Sequence, residues 1–272
     1  MNQPAALTDL HALARNRARA DETALFLQHA ARDEVEDRLV MVNKTFHTPG
    51  IVAAYPSLWR DRIAGAQVVS EAETLPLTQS HHDVVIHSLG LHWANDPVGQ
   101  LIQCRRALQP DGLLLAVALG GQTLHELRSC LAEAEVAVRG GLSPRVAPMA
   151  EVRDLGALLQ RAGLALPVAD AVPLRAQYKT MWHLMRDLRA MGETNAMTAR
   201  LRTATSRAVL DRAAAIYADT YPGADGGITA TFELIVLTGW APDASQPKPL
   251  RPGSAQARLA DALGSDETPL PD

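Results

Sequence analysis

Four histidines crowd twelve residues, at His81, His82, His87 and His92. A metal site needs convergent ligands in a defined geometry. His87 falls inside an apolar run, and a regular strand sends positions 82 and 87 to opposite faces, so no metal site is expected. Cys104 and Cys130 have no cysteine near them in sequence and read as ordinary core or surface thiols. Other residues suit anions. Gly120-Gly121 ends an apolar run just before a helical pattern, where backbone N–H groups could face a carboxylate or phosphate. The other reading of that pair is a plain tight turn. Arg145, in a loop stiffened by Pro144 and Pro148, could hold a carboxylate or an acidic partner with its planar fork. Arg15, Arg17 and Arg19 read either as a partner-binding arm or as a solvated helix face. Tyr178 and Trp182 read as core or lid residues.

The elements that must position these groups are legible in the apolar spacing. Residues 8–20 are helical in pattern, and a second helix is expected from Asp21, a good N-cap, to about Val40. Pro49, Gly50 and Pro56 punctuate residues 43–65, which leaves room for a short strand at Ile51–Ala54 and a short helix near Trp59–Ile63. AQVVS, Asp83–Leu89 and GLLLAVAL read as buried strands, with a helix over Asp96–Leu108 between the last two. Pro110-Asp111-Gly112 reads as a turn with glycine at positive φ. Helices are expected over Thr123–Arg139, closed by Gly140-Gly141, and over Glu151–Arg161, 180–190 and 206–220. Residues 164–178 read as strand or extended chain, and Ile228–Trp240 as a long β run.

This alternation implies a parallel sheet with helices on both faces. Ligands of such sheets sit outside the carboxyl ends of the strands. Loops 71–77, 89–95 and 120–122 all fall at that edge.

Composition narrows the class. The 272 residues are 47% apolar, 21% charged and 4% aromatic, so a core of Ala, Leu and Val is expected and disorder of the whole chain is excluded. The net charge of −4 argues against non-specific nucleic-acid binding. No apolar run approaches the roughly 18 residues of a membrane span. The N-terminus lacks a secretory apolar segment, and two cysteines fit a reducing compartment, so a cytoplasmic location is expected.

The segment LPLTQSHHDVVIHSLGLHWANDP, followed by RRALQPDG and GGQTLHELR, resembles the middle of a class I S-adenosylmethionine-dependent methyltransferase. More narrowly, it is similar to the branch that holds the biotin-pathway malonyl carrier-protein methyltransferase and the mitochondrial complex I assembly arginine hydroxylase. GGLSPRVAPM, DLGALLQRAG, LMRDLRAMGE, ATFELIVLTGW and KPLRPGSA continue the likeness, which covers about residues 66–256 and the RNRARA helix. The resemblance implies a seven-stranded doubly wound sheet with S-adenosylmethionine across its switch point. It implies that Glu71 and Ala72 flank the adenine and that the loop Ser88, Leu89 to His92 and Trp93 covers the cofactor. It also marks Gln122 as a position where relatives often carry an aspartate.

One feature of the family is missing. Its first strand ends in an acid and a Gly-x-Gly turn, because the cofactor approaches the backbone too closely for a Cβ. None of the 18 glycines here are spaced that way, and only 24 residues separate Asn43 from Val68. A βαβ unit takes roughly 30 or more. The first strand–helix unit is therefore either a remnant around GIVAAYPSLW or gone, and AQVVSE stands in for either the third or the second family strand.

The expected organisation is N-terminal helices at 1–42 and a truncated methyltransferase-like α/β core at 43–139. A helical cap with connecting segments follows at 140–227, carrying Arg145 and Tyr178 toward the cleft. A closing strand at 228–240 and an extended tail at 241–272, with six of the 17 prolines, complete the chain. Three functions are compatible with this sequence. They are a methyltransferase using S-adenosylmethionine, a cofactor-free scaffold that binds a protein partner during respiratory-complex assembly, and a protein arginine hydroxylase. A degenerate cofactor site is expected, and so is a Glu71→Ala variant of nearly unchanged stability.

Overall fold

In a computed structural model, residues 6–247 and residue 264 are described. Two compact units divide the chain, residues 1–242 and residues 243–272. All helices and strands among the described residues belong to the first. Of the second, the Ser245 N–H donates to Asp243 Oδ1 at 2.9 Å, closing a turn, and the rest of the expected tail lies outside the described residues.

The strands are β1 (Pro49–Ala53), β2 (Gln67–Ser70), β3 (His82–Ser88), β4 (Leu108–Leu119), β5 (Ala165–Tyr178) and β6 (Ile228–Trp240). They form one mixed sheet in the order β2-β1-β3-β4-β6-β5. The first four run parallel, while β6 is antiparallel to both β4 and β5. The chain thus winds outward from β1 to β2, returns to β3 on the other side, and leaves a switch point between β1 and β3.

The helices are α1 (Leu10–Arg17), α2 (Phe26–Met41), α3 (Pro97–Ala107), α4 (His125–Arg139), α5 (Val152–Arg161), α6 (Met181–Ala190) and α7 (Arg207–Thr220). Strand period divides them between two faces. Ile51, Ile86, Leu115, Val117 and Phe232 meet α2, α4, α6 and α7 on one face. Val52, Val85, Leu114, Ala116 and Ile235 meet α3 and α5 on the other. Both faces are therefore buried, which is why β3 and β4 read as continuous apolar runs.

Several local expectations need correction. The sheet has six strands among the described residues, not seven. The first unit survives as a remnant: β1 is real, but a single 3₁₀ turn, Pro56–Trp59, replaces the crossover helix to β2. Residues 140–227 are not a helical cap, because the fourteen residues of β5 make the sheet edge and α5 packs on the sheet face. Asp21 caps a 3₁₀ turn, Glu22–Ala24, rather than α2 itself. In the turn before the apolar part of β4 it is Asp111, not Gly112, that takes the left-handed conformation, at φ 57°. α4 begins two residues late, since Leu124 sits at φ 54° with its N–H donating to Thr231 O at 2.7 Å. Gly140, at φ 71°, ends that helix as expected.

Cys104 and Cys130 are free and buried under the two opposite faces. Burial pushes the Cys104 thiol up to about 12; burial, then Glu133 and Glu126, push Cys130 up to about 11. The thiolate is the reactive form. Native protein at pH 8 should therefore leave both thiols unlabelled by an aromatic disulfide reagent, and urea should expose both; rapid native labelling of either would contradict this packing.

Candidate functional site

A cleft of about 920 Å³ lies at the switch point, outside the carboxyl ends of β1, β2 and β3. Ala54, Ser70, Glu71, His87 and Gly90 form its floor, and Leu10, Leu13, Ala14 and Arg17 of α1 form its roof. The first turns of α3 close one side. Asp96 caps that helix by accepting from the Gly99 N–H at 2.8 Å. Gln100 then ties the β2–β3 loop in place, its Nε2 donating to Ala72 O at 2.8 Å. His87 is 1% exposed, and burial drives its imidazole down to about 4, so it is neutral.

Glu71 reaches the cleft from the end of β2, but it is not a free acid. Its carboxylate pairs with the guanidinium of Arg17 and lies over Gly90, where a Cβ would collide with it. Arg17 Nη2 is also 3.5 Å from Glu193 Oε1. Glu193 is held from the other side by the Trp93 indole N–H, which donates to Oε2 at 2.7 Å, with His92 Nε2 3.7 Å away. Burial pushes the Glu193 carboxyl up, but His92, Arg17 and Trp93 together outweigh it and hold it down at about 2. Glu71→Ala would strand a buried cation beside Glu193 alone, so the expectation that this variant is nearly neutral for stability is corrected.

The end of β1 is closed as well. Ala54-Tyr55-Pro56-Ser57 stands where a glycine turn would admit a ligand. Tyr55 Oη donates to Met191 O at 2.7 Å and so crosses from β1 to the end of α6. It packs at Gly192, whose φ is 75°, with the Arg17 Cα against the same glycine. Tyr55, anchored to Met191, and Arg17, paired with Glu71, stand beside the end of β1 where the family carries its glycine turn. The residues present do not fit the whole cofactor.

A second, inner cavity of about 230 Å³ lies behind Trp93, which lines both spaces. Its walls are mostly apolar, including Leu119, Leu127, Met149, Met185 and Phe232. Glu193 and Arg145 supply charge at its margin. Arg145 was expected to face the cofactor cleft; it lines this second cavity instead and does not line the outer cleft. The role expected for Arg145 does not follow, because its fork is already occupied. Nη2 donates to Glu135 Oε1 at 2.6 Å and Nη1 to Thr205 Oγ1 at 2.6 Å. Ser143 adds N–H and hydroxyl donors to the same carboxylate.

The remaining expected residues scatter. Ala72 lines the outer cleft. Ser88 and Leu89 are buried at the end of β3, Leu89 at φ 46°, and the His92 side chain is 3% exposed beside Glu193; none of the three lines either cavity. Gly120 and Gly121 are crossed by the chain's own carboxylates, Glu233 and Glu151, each where a Cβ would stand. The Gln122 N–H donates to Glu233 Oε2 at 3.2 Å, so the anion at this turn is internal. Tyr178 ends β5 with its hydroxyl donating to Asp187 Oδ2 at 2.7 Å, away from both cavities. Among the described residues no three His, Cys, Asp or Glu side chains are placed to hold a metal ion.

Sequence reasoning missed Tyr55, Glu135 and Glu193, and gave Arg17 as one of three arginines of either a partner-binding arm or a solvated helix face. For Glu193 the signal was present: a lone acid after Met191-Gly192 in a family block, just past an amphipathic helix.

Residues 51–116 match a family model described as a methyltransferase domain. The mouse protein named arginine-hydroxylase NDUFAF5, mitochondrial, is 37% identical over 232 residues, 83% of this chain and 67% of its own length. The malonyl-[acyl-carrier protein] O-methyltransferase of Laribacter hongkongensis is 35% identical over 190 residues, 70% of this chain and 61% of its own. The chain spans 60 to 67% of the length of the vertebrate relatives it matches. A crystal structure of a methyltransferase candidate from Bacillus halodurans superposes with a TM-score of 0.50 at 12% identity, covering 78% of this chain and all of that one. That likeness carries the fold alone.

Proposed function

The chain belongs to the S-adenosylmethionine-dependent methyltransferase family, and from that premise we propose that it is a member whose cofactor site has degenerated and which acts by binding a protein. Family membership implies the cofactor. The observation against its use is the end of β1, where Tyr55 is anchored to Met191 O in place of a glycine turn. Losing two or three hydrogen bonds at about 0.5–1.5 kcal/mol each weakens binding roughly tenfold to a thousandfold. From an ordinary micromolar affinity, that leaves little occupancy.

The inner cavity supports the binding role. Its walls are mostly apolar and it is bordered by a buried carboxylate. A partner's side chain with an apolar stem and a cationic tip suits it, the tip meeting Glu193. This feature also favours a second reading, carried over from the mitochondrial relatives named as arginine hydroxylases: action on an arginine of a protein partner. A role during respiratory-complex assembly fits either reading. No helix among the described residues is long and apolar enough to cross a membrane. A reducing, cytoplasmic setting belongs to the proposal and rests on the two free cysteines.

Calorimetry on the purified protein tests the cofactor part. Titration with S-adenosylmethionine and with S-adenosylhomocysteine should give no tight binding. Micromolar binding of either compound would restore the catalytic reading.

A further inference from the structure

We propose that Arg17 is a built-in occupant of the outer cleft: its guanidinium fills a cation position between Glu71 and Glu193 and clamps α1 over the sheet edge. This rests on the reading that the cofactor is not bound.

Four observations converge. The Arg17 side chain is 9% exposed, so the clamp is buried and not a surface pair. It bridges two carboxylates from distant elements, Glu71 after β2 and Glu193 after α6. Glycine stands at the two contact points where a Cβ would intrude. A Cβ at Gly90 would strike the Glu71 carboxylate, and one at Gly192 would lie 3.0 Å from the Arg17 Cα. The helix that carries Arg17 is itself tethered at both ends. Thr8 N–H donates to Asn95 Oδ1 at 2.9 Å, and Asp21 N–H donates to Ala190 O at 2.8 Å.

The electrostatics require a cation here. Two carboxylates share one guanidinium, and the nearby His87 is neutral. Without Arg17, two like charges would face each other across a partly dry cleft, which is strongly unfavourable. Arg17 Nε, Arg17 Nη2 and Glu71 Oε2 also lack hydrogen-bond partners. The position therefore selects for charge and fit more than for a complete hydrogen-bond set. An empty Arg17 position should then accept a small guanidinium ion. Lysine is not an equivalent filler, because a point charge cannot reach both carboxylates as the planar fork does.

The test is unfolding of Arg17→Ala in the full chain, with methylguanidinium chloride as the probe and sodium chloride at equal ionic strength as the control. The variant should be less stable than the parent, and methylguanidinium should raise its midpoint while leaving the parent unchanged. A tenfold excess over the dissociation constant would raise the folding constant about tenfold. The rescue should vanish in Arg17→Ala combined with Glu71→Gln. An Arg17→Ala variant as stable as the parent, or one not selectively rescued, would overturn the proposal. Should that variant not fold, Arg17→Met with and without Glu71→Gln decides. The double variant is expected to be the more stable, and equal or lower stability sinks the clamp. Cofactor titration of the unmodified protein is read separately. Rescue together with parental cofactor binding would retain the cation site and discard the degenerate-cofactor reading, whereas failed rescue without cofactor binding would discard the clamp alone.

Discussion

Replacing Arg145 by Ala is expected to cost the fold roughly 3–5 kcal/mol, the usual penalty for stranding one member of a buried ion pair. Its partner Glu135 sits on α4 with a side chain only 2% exposed. Burial pushes that carboxyl up, but Arg145 and the two Ser143 donors outweigh it and hold it at about 2. Arg145 also anchors the 140s loop to Thr205. The Ser143 donors remain in the variant, as does Arg139 Nη1 at 3.5 Å, so the lower end of the range is expected. Urea unfolding measures the loss. The paired change Arg145→Met with Glu135→Gln should recover much of it, because neither partner is then left charged and alone. A loss under about 1 kcal/mol would mean that Glu135 finds other solvation and that Arg145 is free to serve a ligand.

Acid should unfold the protein in two stages. His87 is the first. Its folded pKa lies below the unfolded one, at about 4 against 6.5, so the stability it represents is complete above pH 6.5 and drains away as pH falls toward 4. Glu193 is the second. Its carboxyl is depressed to about 2 from 4.5, so its contribution is complete above pH 4.5 and is lost as pH falls toward 2. Each is on the order of 3 kcal/mol. Glu135 acts in the same direction and window as Glu193. Denaturant unfolding at pH 7, 5 and 3.5 gives the profile. A His87→Gln variant should flatten the decline between pH 6.5 and 4, and Glu193→Gln should flatten the decline below 4.5. Parallel profiles for parent and variants would show that these groups do not couple to folding.

Both experiments bear on the same question, namely which charges near the two cavities serve the fold and which are left for a ligand. Arg145, Glu135 and the turn at Gly120-Gly121 are satisfied internally. Glu193 Oε1 makes no hydrogen bond but faces the Arg17 guanidinium at 3.5 Å; Glu71 and Glu193 share that one cation, so a net negative charge remains beside the apolar cavity. A partner should therefore be sought through a basic side chain rather than an acidic one.

Local chemistry made much of this legible. The buried runs at β3 and β4, the helix that follows Asp96 and the Gly140 stop each depend on a few neighbouring residues, and they stand where periodicity and glycine capping place them. The missing Gly-x-Gly turn was readable for the same reason, since a glycine requirement is local. Residues 164–178 read as strand or extended chain, but nothing local places them in the sheet rather than in a cap over it. An edge strand half-exposed on its faces has weak patterning, and only pairing with β6 makes it a strand.

The charges followed a different rule. Arg15, Arg17 and Arg19 look alike in sequence, yet only Arg17 is turned into the cleft and paired with Glu71 and Glu193. Arg145 was recognised as held in a stiff loop, but its partner Glu135, one helix end away, was not. The sequence determines where helices and strands form, where backbone must lack a Cβ, and to which family the chain is similar. The tertiary structure alone decides whether a charge is spent or available, because a Coulombic pair is set by distance and burial, and both come from elements far apart in the chain.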